Sequence, residues 1–449
     1  MIKAKAKFDP FNMMLRSFEV ILLVILAGIV VHAPLTVLFG GVVWPDYDVL
    51  IKSWKEILLL FASGLAIILI SQRAMWRELF SDWLIKIIAA YCLLHVLLLF
   101  VFDNDALASA AGLMIDLRYI LYFVLVYAAV RLDRAFRRPF IIVAAAGAAL
   151  VVGFAILQVA VLPDDILRHI GYGANTIQPY MTIDQNPNFV RINSTLRGPN
   201  PLGAYALIVL SLVGAAVARR AILNPSAWRF VAIFLIIGSV VAIWFSYSRS
   251  ALVGATVALL FVLITTISAK ISWKKMLIAV AAIGVLTGGI LFTARDNHFV
   301  ANVILHENPD SSSQSKSNDE HFASLIDGTE RMVSQPFGAG VGSTGSASLY
   351  GDKPLIIENQ YLFTAHESGW LGLVLYMAIF GIIMGRLWVN RRDYLSFGLV
   401  ASGIGLSLIG LLLPVWADDT VAIVWWGLAG LAVGYVLKRK DEKSERTIE

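Results

Sequence analysis

Apolar runs of about twenty residues return from one end of this 449-residue chain to the other, and nothing else in it constrains the fold as strongly. As an α-helix rising 1.5 Å per residue, each run reaches across the roughly 30 Å hydrocarbon core of a bilayer with its backbone polar groups satisfied internally. Hydrophobic residues make up 58% of the chain, far above the soluble norm. The runs are continuous rather than alternating, which excludes a transmembrane β-barrel. Such windows fall near residues 18–40, 55–72, 84–102, 108–130, 139–161, 201–218, 230–247, 251–268, 276–293, 369–385, 394–416 and 421–437. The expected architecture is an all-α, polytopic helical membrane protein of about 12 transmembrane helices, forming a single integral membrane domain over 1–449. No small-residue cleavage site follows the first run, so it reads as a retained span.

The basic residues set the orientation. Lys3, Lys5, Lys7 and Arg16, Arg73 and Arg77, Arg131 to Arg138, Arg219 to Arg229, Lys270 to Lys275, Arg386 to Arg392 and the tail from Lys438 fall on one side. About 25 basic residues lie there against about 11 opposite, which makes that side cytoplasmic and puts both termini inside. The expected location is the cytoplasmic (inner) membrane, multi-pass. The net charge of +5 then reflects topology and contact with membrane lipid; it does not point to a nucleic-acid partner. Cys92 is the sole cysteine and sits in an apolar run, so neither a disulfide framework nor a cysteine metal site is expected.

Two connections on the extracytoplasmic side are long, 162–200 and 294–368, the second lying before the tenth span. Loops of that length are functional or disordered. The stretch "NPDSSSQSKSNDE" within the second reads as disordered. Seven arginines on this side run against the topology bias: Arg118, Arg168, Arg191, Arg197, Arg249, Arg295 and Arg331. A guanidinium binds phosphate oxygens through a planar fork and stays charged when partly desolvated. Arg249, in "FSYSRSALVG", is held at the interface by a very short link between spans, although snorkelling to lipid phosphates is the plainer reading. Arg118, in "MIDLRYILYF", pairs with Asp116 or with a ligand. Arg191 and Arg197, in "RINSTLRGPNPLGAY", precede a helix whose N-terminus favours an anion and which Asn200 is placed to cap. The plainer reading is a capped helix start with solvated arginines.

Other signals carry less. "GTERMVSQPFGAGVGSTG" lacks Walker spacing and is not a P-loop; its glycines suggest a backbone bend near a ligand or another helix. "DND" at 103–105 has the form of a metal-binding triplet, but a solvated turn is the simpler account. The seven histidines show no paired ligand spacing, and His32 and His95 read as intraspan polar residues with local partners. No metal and no cofactor is expected.

The succession "RINSTLRGPNPLGAY", "FSYSRSALVG", "ERMVSQPFGAGVGS" and "ENQYLFTAHESGWLGLVLY" resembles the O-antigen ligase and polymerase superfamily, polytopic membrane glycosyltransferases of the C class, over residues 191–376. The resemblance implies a metal-independent glycosyltransferase. It would transfer or polymerise polyprenyl-pyrophosphate-linked oligosaccharide on the extracytoplasmic face, with a glycan or lipid acceptor. It implies that Arg191 and Arg249 hold the pyrophosphate, with Arg197 and Arg118 as further candidates. Ligases carry a His-Asn pair where this chain has Glu358-Asn359, a departure that leans the resemblance toward the polymerase branch. Glu358 is then the candidate base and His366 the second, with Asn359, Tyr361 and Arg331 positioning acceptor or loop. If residues 359–369 are helical, Glu358 and Glu367 face opposite ways, against a paired-carboxylate glycosidase, and Glu367 is structural. A polytopic transporter or lipid-linked glycan flippase is the alternative, and a non-catalytic scaffold a third.

Overall fold

A computed structural model describes residues 9–183, 186–221, 226–267, Ile278 and 314–448. Twelve helices organise them: α1 (Pro10–Ile29), α2 (Trp54–Gln72), α3 (Trp83–Val101), α4 (Ala106–Leu132), α5 (Arg137–Ala160), α6 (Pro199–Ala218), α7 (Ser226–Phe245), α8 (Arg249–Ile267), α9 (Gln314–Ser334), α10 (Gln360–Val389), α11 (Tyr394–Ile409) and α12 (Asp419–Ile448). The only strands among the described residues are Met181–Ile183 and Asn186–Arg191, an antiparallel hairpin between α5 and α6 that the hydropathy pattern does not show. Ten of the described helices are long and apolar enough to cross a membrane. This is an all-α polytopic membrane protein.

Eleven of the twelve expected spans meet a helix; the ninth, 276–293, lies outside the described residues except for Ile278, as do Lys3, Lys5, Lys7, Lys270, Lys274, Lys275 and Arg295. Three boundaries need correction. The first helix starts at Pro10, with Asp9 capping it, and breaks after Ile29; a short helix, His32–Thr36, and a π-helical stretch, Val37–Val43, resume beyond the break, where Pro34 has no N–H to offer the Val30 carbonyl. The eleventh stops at Ile409, sixteen residues long. The tenth begins at Gln360, nine residues earlier than the hydropathy indicates. The disorder expected of 308–320 also fails from Gln314 onward, where α9 begins; residues 308–313 lie outside the described residues. Leu325 and Met332, seven apart on one face of α9, pack on Ile357, Leu362 and Phe363, and that burial favours a helix the polar composition would not sustain alone.

Helices α4, α6 and α12 form the buried centre, α12 packing along α4 and α6 enclosed by α7, α8 and α11. Trp416, Trp425 and Trp426 are fully buried where α12 begins and stack with Phe380 and Tyr119. At one end of the bundle, the basic end, ion pairs join distant turns: Arg386 grips Asp82 with Nη1 and Nη2 at 2.7 and 2.5 Å, and Arg137 reaches Asp393 at 2.6 Å. The opposite end carries the hairpin and the 335–359 connection, and is called the loop end below.

The Asp82 clamp also takes the Tyr127 hydroxyl at 3.0 Å and the Leu84 amide at 2.9 Å. Burial pushes the Asp82 carboxyl up, but the Arg386 hydrogen bonds and the donors beside them prevail and hold it below its ordinary 3.8. Its contribution is therefore present above about pH 4 and is lost as pH falls through the lowered folded value. Asp82→Asn is expected to reduce stability at pH 7 by about 2–3 kcal/mol and to remove that acid-dependent part, read from thermal unfolding of the detergent-solubilised protein against pH.

Candidate active site

At the loop end, α10 opens and a glycine-rich segment repairs it. Asn359 caps the helix, its Oδ1 accepting from the Tyr361 and Leu362 amides at 2.9 and 3.0 Å. Gly369 then takes φ +66° and ψ −172°, a conformation essentially restricted to glycine. The break frees the carbonyls of His366 and Glu367, which accept instead from Ala339 N–H at 2.6 Å and Gly340 N–H at 3.1 Å, while Trp370 N–H turns to the Pro336 carbonyl at 2.9 Å. The Glu367 side chain adds a second clamp: its Oε1 accepts from the Gly342 and Thr344 amides at 3.1 and 3.3 Å. Gly342, at φ +81°, lies so close to α4 at Ala108 and Gly112 that no Cβ fits. The bend expected of these glycines is thus packed against two helices. The "DND" triplet serves the same segment: Asp105 caps α4, and Asn104 Nδ2 donates to the Ala339 carbonyl at 3.0 Å.

Glu358 stands half-buried just ahead of the cap and outside the helix, so the helical-phase comparison with Glu367 does not apply; Glu367 is buried in the segment it clamps. His366 is buried, with Arg331 and Asp327 of α9 in electrostatic reach, and Arg331 Nε holds Asp327 at 2.7 Å. Asn359 Nδ2 donates to the Leu411 carbonyl at 2.8 Å and the Tyr361 hydroxyl to that of Ser407 at 3.1 Å, so both tie the start of α10 to the end of α11.

The expected arginines fall into two settings. Arg118 is buried and bonds Asp419, with Glu56 at 3.6 Å and the Ala417 carbonyl at 2.7 Å, where Asp116 had been its expected partner. Asp116 faces His95 at 3.6 Å instead. Lys55 completes the first network, 2.9 Å from Asp419 and 3.2 Å from Glu56, with His32 3.3 Å from Asp419. The sequence reading assigned Asp419 nothing and passed over Lys55 and Glu56; the carboxylate of "WADDT" opening a span opposite Arg118 was the available signal. Arg197 is exposed, with Asp418 in electrostatic reach.

Arg191 and Arg249 share the second setting. Arg191 closes the hairpin and is fixed from two sides, Nε donating to the Ser246 carbonyl at 2.9 Å and Nη2 to Asn200 Oδ1 at 2.8 Å. Asn200 therefore holds an arginine and does not cap α6, which begins at Pro199 with an extended Gly198 ahead of it. Arg249 is the first residue of α8, three beyond Ser246, and is exposed. Burial and the neighbouring Arg249 guanidinium hold Arg191 down to about 10, so both remain cationic at neutral pH. Two guanidinium groups, one buttressed and one at a helix N-terminus, are thereby brought near each other. Among the described residues no group of three potential ligands able to hold a metal ion occurs.

The fold defines a multi-pass membrane protein whose loop end gathers these polar and charged groups. A family model described as O-antigen ligase matches residues 232–377, a segment that holds Arg249, Arg331, Glu358, Asn359, Tyr361 and His366. The match supports membership of the O-antigen ligase family and, coarsely, an O-antigen ligase-like membrane function. No curated protein matches the chain.

At Gly369, a Cβ would meet the Pro336 carbonyl oxygen at 2.6 Å in addition to the backbone strain. Gly369→Ala is expected to cost about 3 kcal/mol or more. The checks are a lowered thermal midpoint and faster hydrogen exchange across 336–345.

Proposed function

We propose that this protein is a glycosyltransferase that transfers or polymerises polyprenyl-pyrophosphate-linked oligosaccharide on the extracytoplasmic face of the cytoplasmic membrane, with the polymerase branch preferred. The observation that carries the reading is the Arg191–Arg249 pair. Arg191 is held by Ser246 and Asn200 within electrostatic reach of Arg249 at the head of α8, so two guanidinium groups are placed where an anion could bridge them. A lipid diphosphate supplies that anion at the depth where its prenyl tail enters the bilayer. Arg197 and Arg118 are the further candidates beside it; Arg118, engaged by Asp419 and Glu56, acts as a fixed part of the wall.

In the step itself an acceptor sugar hydroxyl attacks the anomeric carbon of the lipid-linked sugar. The new glycosidic C–O bond forms as the bond to the pyrophosphate oxygen breaks, and the polyprenyl pyrophosphate leaves with the electron pair. Glu358 takes the hydroxyl proton, with His366 the second candidate, and the arginines stabilise charge building on the leaving group. Support for Glu358 is its place: Asn359 fastens it to the turn after α11, and α11 packs against α8, where Gly254 meets the Gly405 carbonyl. The base and Arg249 thus belong to neighbouring elements at one end. The glutamate at the ligase histidine position supports the polymerase preference.

Purified protein given a polyprenyl-pyrophosphate oligosaccharide is expected to lengthen the lipid-linked chain; product formed only when a separate acceptor is added would make it a ligase. Arg191→Gln and Arg249→Gln are each expected to lower turnover by about 10²–10³. Arg249→Gln should abolish the stabilisation that inorganic pyrophosphate confers on the wild type. Full turnover in both variants would refute the anion site. Glu358→Gln is expected to reduce turnover by about 10²–10⁴ with donor binding kept; polymer yield and length equal to wild type would remove Glu358 from the chemistry.

A further inference from the structure

Asp116 and Glu367 are two carboxyl groups with no part in the transfer step, and the fold buries them against each other. Gly112 takes the glycine segment against α4, Gly342 lying too near it for a Cβ, and Asp116 stands one helical turn further along the same face. There it meets Glu367, whose Oε1 is already held by the Gly342 and Thr344 amides. Asp116 is within hydrogen-bonding reach of Glu367. Both line a cavity of about 10 Å³ between α3, α4 and α10, room for one water molecule, and His95 enters it from α3.

As two carboxylates, the pair is short of donors. Asp116 is 7% exposed and Glu367 1%, and no donor among the described residues reaches Asp116 Oδ2 or Glu367 Oε2. His95 does not supply one. Its Nδ1 lies 2.9 Å from the Tyr91 carbonyl, which makes that nitrogen the N–H, and its Nε2 stops 3.6 Å from Asp116 Oδ2, beyond a hydrogen bond. The other polar groups of the cavity are uncharged: the phenols of Tyr91 and Tyr119, with Gln360, Thr364 and Ser368. Arg118, two residues along α4, is bonded to Asp419 and has Glu56 beside it. Nor do the carboxyl groups and His95 converge on one metal position, since no such group of three occurs among the described residues. Two ionised carboxylates in contact there would repel with nothing between them; one proton turns the repulsion into a charge-assisted hydrogen bond.

We propose that Asp116 and Glu367 share a single proton at neutral pH, in a carboxyl–carboxylate bond closed inside the bundle, and that Asp116 is thereby a positioning residue for the glycine segment. The proton answers Oε2 of Glu367 and leaves Oε1 to the two amides. The contacts run on from there. Thr344 Oγ1 and Gly345 N–H donate to the Leu355 carbonyl at 3.0 and 2.8 Å, three residues before Glu358. Asp116 therefore acts through Glu367 and the glycine segment on the backbone that carries Glu358. The duty of Glu358 rests on the function proposed above; the shared proton does not, and it is tested without turnover.

Infrared spectra of the full-length protein in detergent at neutral pH read the proton directly. The wild type is expected to carry a protonated-carboxyl band that is missing from Asp116→Asn and from Glu367→Gln, each amide supplying a hydrogen in place of the shared proton. His95→Gln should keep the band. Hydrogen exchange reads the positioning. Asp116→Ala leaves Oε2 without a donor and should speed exchange of the Gly342 and Thr344 amides by about tenfold or more, and Asp116→Asn should restore wild-type protection. Should Asp116→Ala not fold, the band comparison among the isosteric variants decides. A band unchanged in both amide variants, a band lost with His95, or Asp116→Asn exchanging as fast as Asp116→Ala would each overturn the assignment.

Discussion

A helix that opens beside a membrane must find new partners for the carbonyls it releases, and the loop end of this protein is organised by that requirement. Gly369 breaks α10, and the segment around Gly338 and Gly340 closes the deficit with its own amides. Everything else in the neighbourhood follows from keeping those two pieces together. Glu367 fastens the far side of the glycine segment, Asn104 holds its middle, and Gly112 lets it lie directly on α4. The stretch from Pro336 to Thr344 is thereby as rigid as the helices it joins, which is what a site for chemistry requires of its frame.

Charge is handled in two contrasting ways within the same end. Arg118, Lys55, Asp419 and Glu56 are buried together, two cations against two anions, with His32 alongside. Such a network is closed: its members neutralise one another, and removing one leaves a buried charge unpaired. Arg191 and Arg249 instead lie within electrostatic reach of each other. Their neighbours are a backbone carbonyl and an amide oxygen, which orient Arg191 without neutralising it. Arg118 is thus spent within a closed network, whereas Arg191 and Arg249 are like charges placed near each other. That distinction separates Arg118 from the other candidate arginines more sharply than their shared position outside the basic end.

Hydropathy made the helices legible because a bilayer imposes one rule on every span, and eleven expected spans meet a helix. The boundaries that slipped did so where a side chain or a backbone partner overrode the rule. The tenth span begins at Gln360 because its first turns are covered by α9 and the glycine segment, so polar residues such as His366 and Glu367 are buried without being apolar. The hairpin of 181–191 left no trace, since three paired residues on one strand give too short an alternation to stand out. The proximity of Arg191 and Arg249 was expected only through the resemblance; no spacing rule brings residues 58 apart together, and the hairpin that does so was itself invisible. Asp419 was passed over because a carboxylate at the start of a span looks like an ordinary cap, and its role depends on Arg118 from a helix three hundred residues away.

The two carboxylates of the opening in α10 illustrate how burial sorts roles that composition leaves equal. Glu367 is enclosed and spends Oε1 on two backbone amides that shape the glycine segment. A group with that duty is poorly suited to gain and lose a proton in every turnover. Glu358, one residue outside the cap, is half-buried, and its backbone is fixed through its neighbour Asn359. Of the two glutamates, the buried one is the clamp on the glycine segment, and the proposed base is the one whose place is set by the Asn359 cap and the Leu411 carbonyl.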